Sequence, residues 1–196
     1  ALRKKGLAKA SKKSDRVANE GAVGIYSNKD ITVILKLNSE TDFAAKSDTF
    51  LNFLDTKNKL ILENNNIIDQ DQLLSLKYEK GTIKDYLNSM IAKIGENLIL
   101  NDLIIKKNKG TNYAYYIHNS YRSNIGKLVS FLEYTSNNKD ADIETLTKNI
   151  CMHIAAMKPE SLDIDDLDKN LISNEKKIQK ELILNSGKPS NIVDKI

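Results

Sequence analysis

Three kinds of side chain in this chain could carry chemistry: two histidines, His118 and His153; one cysteine, Cys151; and a run of carboxylates at Asp163, Asp165, Asp166 and Asp168. Cys151 and His153 stand at i and i+2, a spacing that turns them to different faces of a helix and disfavours a thiolate-imidazole pair within that segment. The two histidines fall on different predicted elements. The acidic run lacks the glycine that gives a calcium loop its sharp turn, so it reads as a solvated connection. No GxxxxGK[ST] loop, HExxH pair or GxSxG elbow occurs. Bases, nucleophiles and metal ligands are too sparse to converge on a reacting centre, and the residues point to a protein that acts by binding.

Binding needs a scaffold, and the composition supports one. The 196 residues are 40% hydrophobic and 29% charged, a balance that places the chain with globular domains and away from disordered segments. A single cysteine excludes an internal disulfide and a cysteine-rich zinc site, which suits a reducing compartment. No run of about 18 apolar residues is present, and no apolar stretch follows the basic start, so neither a membrane span nor a signal peptide is read. The formal net charge of +4 is local. Arg3, Lys4, Lys5, Lys9, Lys12, Lys13 and Arg16 face Asp15 alone, and the rest of the chain is slightly acidic. One short basic arm is a weaker nucleic-acid signal than a basic surface.

The pattern of apolar residues predicts the elements. Residues 2–19 hold good helix formers and run into Gly21, so they read as a solvated helix stopped by glycine. Val23 and Ile25, then Ile31, Val33, Leu35 and Leu37, alternate on either side of a Ser-Asn-Lys-Asp turn, which predicts a hairpin. A polar bend at 39–46 leads to a helix capped by Ser47 or Asp48. The strongest helix signal runs from Thr82, with Ile83, Tyr86, Leu87, Met90, Ile91 and Ile94 on one face, Thr82 and Asp85 spaced as a capping box, and Gly95 as the stop. Strands follow over 98–105, 113–117 and 127–134, with 118–126 as a connection. Ile143, Leu146, Ile150, Ile154 and Met157 make one apolar helix face, closed by Pro159, and a further helix covers 175–185. The fold class is α+β, with an antiparallel sheet as its core and flanking helices.

Five strings then act together: Leu-Arg-Lys-Lys-Gly-Leu-Ala-Lys-Ala at 2–10, Asn-Ser-Glu-Thr-Asp-Phe-Ala-Ala-Lys at 38–46, Ala-Lys-Ile-Gly-Glu-Asn at 92–97, Ile-Cys-Met-His-Ile-Ala-Ala at 150–156 and Asn-Ser-Gly-Lys-Pro at 185–189. In this order and over the whole chain, the sequence resembles the translation elongation factor Ts family. The resemblance implies a guanine nucleotide exchange factor for the GTPase elongation factor Tu. Such a factor has no catalytic residues of its own, no cofactor, no direct nucleotide binding, and no nucleic-acid or membrane partner. It acts in the cytoplasm of bacteria or inside an organelle of bacterial type. In the family an aspartate-phenylalanine pair wedges against the nucleotide domain of the GTPase and disturbs its magnesium and phosphate-binding loop. By motif these are Asp42 and Phe43, flanked by Thr41 and Ala44, where the family commonly has valine in place of Ala44. The Asn-Ile-Gly-Lys string at 124–127 matches a family Ile-Gly pair and implies secondary contacts through Ile125 and Gly126. His153 lies on the helix that meets the third domain of the partner.

The resemblance also implies an organisation: 1–20 as the end of a ubiquitin-associated-like module and linker, 21–139 as the N-terminal core subdomain, 140–184 as the start of a second, incomplete core subdomain, and 185–196 as the start of a helical hairpin. On this reading the chain is a piece of a longer protein. A rival reading uses the basic arm with Tyr113, Tyr115, Tyr116 and Tyr121 to bind RNA by base stacking.

Overall fold

The computed structural model describes residues 10–64, 66–137 and 141–186. Residues 2–9 and 187–189 of the recognised strings, and all but residues 185 and 186 of the expected hairpin start at 185–196, lie outside the described residues. Two compact units make up the chain, Ala1–Ala156 and Met157–Ile196. The helix expected to open a second subdomain belongs almost wholly to the first unit.

Strands β1 (Glu20–Ser27) and β2 (Ile31–Ser39) form the expected hairpin in register, from Glu20 opposite Ser39 to Ser27 opposite Thr32. A short helix α1 (Asp42–Ala45) and a long one, α2 (Asp48–Glu63), follow. Then come α3 (Gln70–Ser75), the two-residue strands β3 (Lys77–Tyr78) and β4 (Gly81–Thr82), and α4 (Ile83–Ile94). Strands β5 (Leu98–Lys107), β6 (Asn112–Arg122) and β7 (Ile125–Tyr134) complete an antiparallel sheet in the order β5-β2-β1-β7-β6. The α+β architecture read from the sequence is the architecture observed. Helix α5 (Ala141–Met157), all but its last residue in the first unit, closes the order there, and the second unit holds a 3-10 turn at Ile164–Asp166 and α6 (Lys169–Asn185).

Alternation along β2 sends Ile31, Val33, Leu35 and Leu37 into the core, where they meet Phe50, Phe53, Leu54 and Ile61 of α2 and Ile83, Leu87, Met90 and Ile91 of α4. Helix α4 begins with the complete capping box: the Thr82 hydroxyl accepts from the Asp85 N–H at 3.2 Å, and the Asp85 carboxylate accepts from the Thr82 N–H at 3.0 Å. Thr82→Ala lowers stability by about 1 kcal/mol. In a thermal melt that is a fall of roughly 2–4 °C; no fall would show that the box adds nothing to a helix already held by its apolar face.

Three expectations need correction. Helical backbone stops at Ser11 and turn backbone follows, so no helix runs to residue 19. The reason is tertiary: Asn97 Nδ2 donates to the carbonyls of Arg16 (2.8 Å) and Ser14 (3.3 Å), and Asn38 Nδ2 donates to that of Ala18 (2.7 Å), taking carbonyls a helix would have used. Gly21 accordingly lies within β1, at φ +145, where a Cβ would run into the Leu37 carbonyl of the paired strand. Strand β6 extends through residues expected as a connection, leaving only Ser123 and Asn124 before β7. In α5 the side turned inward is Thr147 and Cys151, with the Ser130 hydroxyl of β7 donating to the Cys151 carbonyl at 2.6 Å. Of the expected apolar face, Ile143 and Ile154 are half-buried, while Leu146, Ile150 and Met157 are 53%, 38% and 67% exposed.

Candidate functional site

The 38–46 string forms a projecting tip where β2 ends. Thr41 has extended backbone and caps α1, its hydroxyl accepting from the Ala44 N–H at 3.3 Å. The Ser39 hydroxyl donates to the Thr41 carbonyl at 2.8 Å. One helical turn later the Ser47 side chain receives the Phe50 N–H and starts α2. Ala44 and Ala45 turn inward and are buried; their small side chains let the turn lie close on the hairpin. Asp42 and Phe43 therefore face outward. The Phe43 ring is 83% exposed, whereas Phe50 and Phe53 are buried in the core. Displaying a phenylalanine forgoes roughly 2 kcal/mol of burial free energy, so the free protein gains nothing from that residue type at that point. The Asp42 carboxylate is held below the ordinary carboxylate range by a hydrogen bond from Lys46 Nζ at 2.7 Å, one turn on. The tip thus offers a carboxylate, ion-paired with Lys46, beside one apolar ring.

The α4–β5 connection fastens the tip from the side. Gly95 ends α4 in the left-handed conformation at φ +88 and aims Glu96 at Thr41. The Glu96 carboxylate accepts the Thr41 N–H at 2.9 Å and the Thr41 hydroxyl at 2.6 Å. Next to it the Asn97 N–H donates to Glu40 at 2.6 Å, and Arg16 approaches the same carboxylate at 3.5 Å. Lys13 Nζ donates to the Gly95 carbonyl. The 92–97 string was legible in the sequence; its place against the tip was not.

The structure brings Thr41, Asp42, Phe43 and Ala44 together and leaves the other expected residues elsewhere. Ile125 is fully buried and belongs to the hydrophobic core, paired across from Gly24, so its side chain is closed to any partner. Gly126 is buried beside it; a Cβ there would meet Ile117 Cγ2 and lie 2.9 Å from the His118 carbonyl. The need is internal packing, and the expectation of surface contacts at this pair is corrected. The Ile-Gly pair standing next to the tip is Ile94-Gly95, which leads directly into Glu96. His153 is exposed on α5, on the same outward face as Leu146 and Ile150, while Cys151 points inward with its thiol pushed up by burial.

Of the four tyrosines on β6, Tyr113 and Tyr116 are engaged within the fold, and Tyr115 is exposed. Tyr113 stacks on Phe131 with ring centroids 5.1 Å apart and donates to the Lys107 carbonyl, and the Tyr116 hydroxyl meets His118 Nδ1 at 3.2 Å. Among the described residues no cluster of three or more His, Cys, Asp or Glu could hold a metal ion, and no helix is long and apolar enough to cross a membrane.

Residues 40–196 match the family model described as Elongation factor TS. The chain is 39% identical over 196 residues to Elongation factor Ts of Limosilactobacillus reuteri (strain DSM 20016), covering all of this chain and 64% of that protein. It is 40% identical over 196 residues to Elongation factor Ts of Limosilactobacillus fermentum, covering 63% of that protein. To Elongation factor Ts of Rhodospirillum centenum it is 35% identical over 195 residues, again with 64% of that protein covered. The chain therefore spans somewhat under two thirds of the length of the relatives it matches.

Proposed function

The chain belongs to the elongation factor Ts family, and on that premise we propose that it is a guanine nucleotide exchange factor that binds elongation factor Tu carrying GDP and promotes GDP release during translation elongation. The observation that carries this reading is Phe43, a large apolar ring held out into solvent beside a carboxylate on a braced turn. A rigid aromatic with few rotatable bonds loses little entropy on entering a partner pocket. The neighbouring Asp42, ion-paired with Lys46 in the free chain, brings a carboxylate to a site built for magnesium and phosphate, where it competes for the cation.

No bond is made or broken by the factor. Contacts formed only with the nucleotide-free GTPase stabilise that state, so factor and GDP each lower the affinity of the other by the same ratio. GTP then displaces the factor in turn, and the cellular excess of GTP gives the cycle its direction. Thr41 and Ala44 complete the contact: Thr41 by starting the turn, Ala44 by seating it on the hairpin.

Stopped-flow release of a fluorescent GDP analogue from elongation factor Tu, with and without this chain, tests the proposal. Acceleration that saturates with factor concentration is expected; identical release in both cases would remove the function. His153 supplies a separate contact with the third domain of the partner, from the outward face of α5. His153→Ala weakens complex formation several-fold, about 1 kcal/mol, while the maximal release rate at saturating factor stays unchanged. A lowered maximal rate with unaltered affinity would contradict that division of roles.

A further inference from the structure

Helix α1 has four residues, far below the length at which a helix holds itself in water. Something outside it must set its geometry. Its first hydrogen-bonded residue is Thr41, and both hydrogen-bonding groups that Thr41 can direct away from α1, the N–H and the hydroxyl proton, go to the Glu96 carboxylate. The hydroxyl oxygen meanwhile receives the Ala44 N–H. A chain of contacts thus runs from Glu96 through Thr41 to the residue after Phe43. Glu96 is itself fixed on both sides, by the left-handed Gly95 and by Asn97, which is buried and spans Glu40, Ser14 and Arg16.

We propose that Glu96 is a positioning residue for the exchange surface: it sets the direction in which Phe43 leaves the fold without touching the GTPase through its own role. This deepens the exchange-factor reading and rests on it. The interaction lies near the surface, where charged pairs add little to global stability, yet it determines the orientation of a whole turn. Loss of Glu96 therefore leaves the core intact and lets the turn swing. A displaced contact group loses productive encounters even when its chemistry is unchanged.

Two measurements on the chain test this. In the free protein, Glu96→Ala speeds amide hydrogen exchange at Ala44, Ala45 and Lys46 by roughly tenfold, with the β2 amides unchanged. With elongation factor Tu, the same variant slows GDP release by roughly tenfold, and it slows release no further when Phe43 is already alanine. Should Glu96→Ala fail to fold, Glu96→Gln, with one acceptor retained, shows an intermediate effect at the same amides. Unchanged protection of the turn, or a full additional loss in the Phe43→Ala background, overturns the proposal. If the parent chain itself does not accelerate release, the exchange reading fails separately, and tip protection alone then decides the role of Glu96.

Discussion

Phe43→Ala slows GDP release from elongation factor Tu by roughly 30-fold at limiting factor, the ratio that corresponds to an interface anchor of about 2 kcal/mol. The ring is 83% exposed in the free chain, so its truncation removes almost no internal contact. The thermal midpoint consequently stays within about 2 °C, since surface substitutions of this kind change stability by about 0.5 kcal/mol or less. This separation of function from stability is what makes the variant informative. A core phenylalanine such as Phe50 would lose both together, because its replacement by alanine removes about 3–5 kcal/mol of packing. Phe43→Leu, which keeps apolar volume but not the flat face, falls between parent and alanine. Release kinetics measured across a range of factor concentrations decide the matter, and parental rates for Phe43→Ala would take the ring out of the mechanism.

Much of the scaffold behind this tip was legible because local signals agreed with tertiary ones. The β1–β2 alternation, the Ser47 cap, the Thr82–Asp85 box and the Gly95 stop each satisfy backbone groups close in sequence. The misses arise where distant groups override local preference. Residues 12–19 have the composition of a helix, but Asn38 and Asn97 take their carbonyls from far along the chain. In α5 the larger apolar residues form a stripe, yet the sheet accepts the side with Thr147 and Cys151, whose small side chains allow Ser130 to reach the helix backbone. Apolar periodicity defines a stripe and does not say whether a sheet or the solvent will face it. The site shows the same division. The motif named Phe43, whereas the matching of an Ile-Gly pair selected Ile125, whose apolar side chain serves the core. Glu96 was present in a recognised string, but only the folded chain places it 55 residues from its partner in sequence and 2.6 Å away in space.

Lys57 is the core residue least foreshadowed by its residue type, and its replacement carries a large expected effect on stability. On α2 it occupies a core position between Leu54 and Ile61, fully buried, with no hydrogen-bond partner for Nζ among the described residues. The ammonium stands over the Tyr78 ring, 3.0 Å from its centroid, with the Tyr86 and Phe53 rings at 5.1 and 5.5 Å. Attraction to ring faces is worth about 2 kcal/mol when desolvated, less than the several kcal/mol of hydration lost on burial. The deficit appears as an ammonium pKa lowered to about 8 by burial, against a small opposing effect of Glu79. The sign follows directly. Below about pH 8 the lysine is charged in both states and the burial penalty is fully present. From there to the ordinary lysine pKa near 10.4, the unfolded chain binds a proton the folded chain lacks, so stability rises with pH, by up to about 3 kcal/mol. Three groups raised by burial act in the opposite sense, the Cys151 thiol from about pH 8.5 and the phenols of Tyr26 and Tyr86 from about pH 10, so the lysine's share is read between pH 8 and 10 as the difference between the parent and a Lys57 variant. Lys57→Met, similar in length and apolar throughout, raises the midpoint at pH 7 by about 4 °C and flattens the pH dependence in that window. Thermal melts from pH 7 to 10 on parent and variant measure both. A variant less stable than its parent at pH 7 would mean that the three rings outweigh the lost hydration, and that a charged lysine holds α2 to the β3–β4 hairpin more tightly than a hydrophobic side chain can.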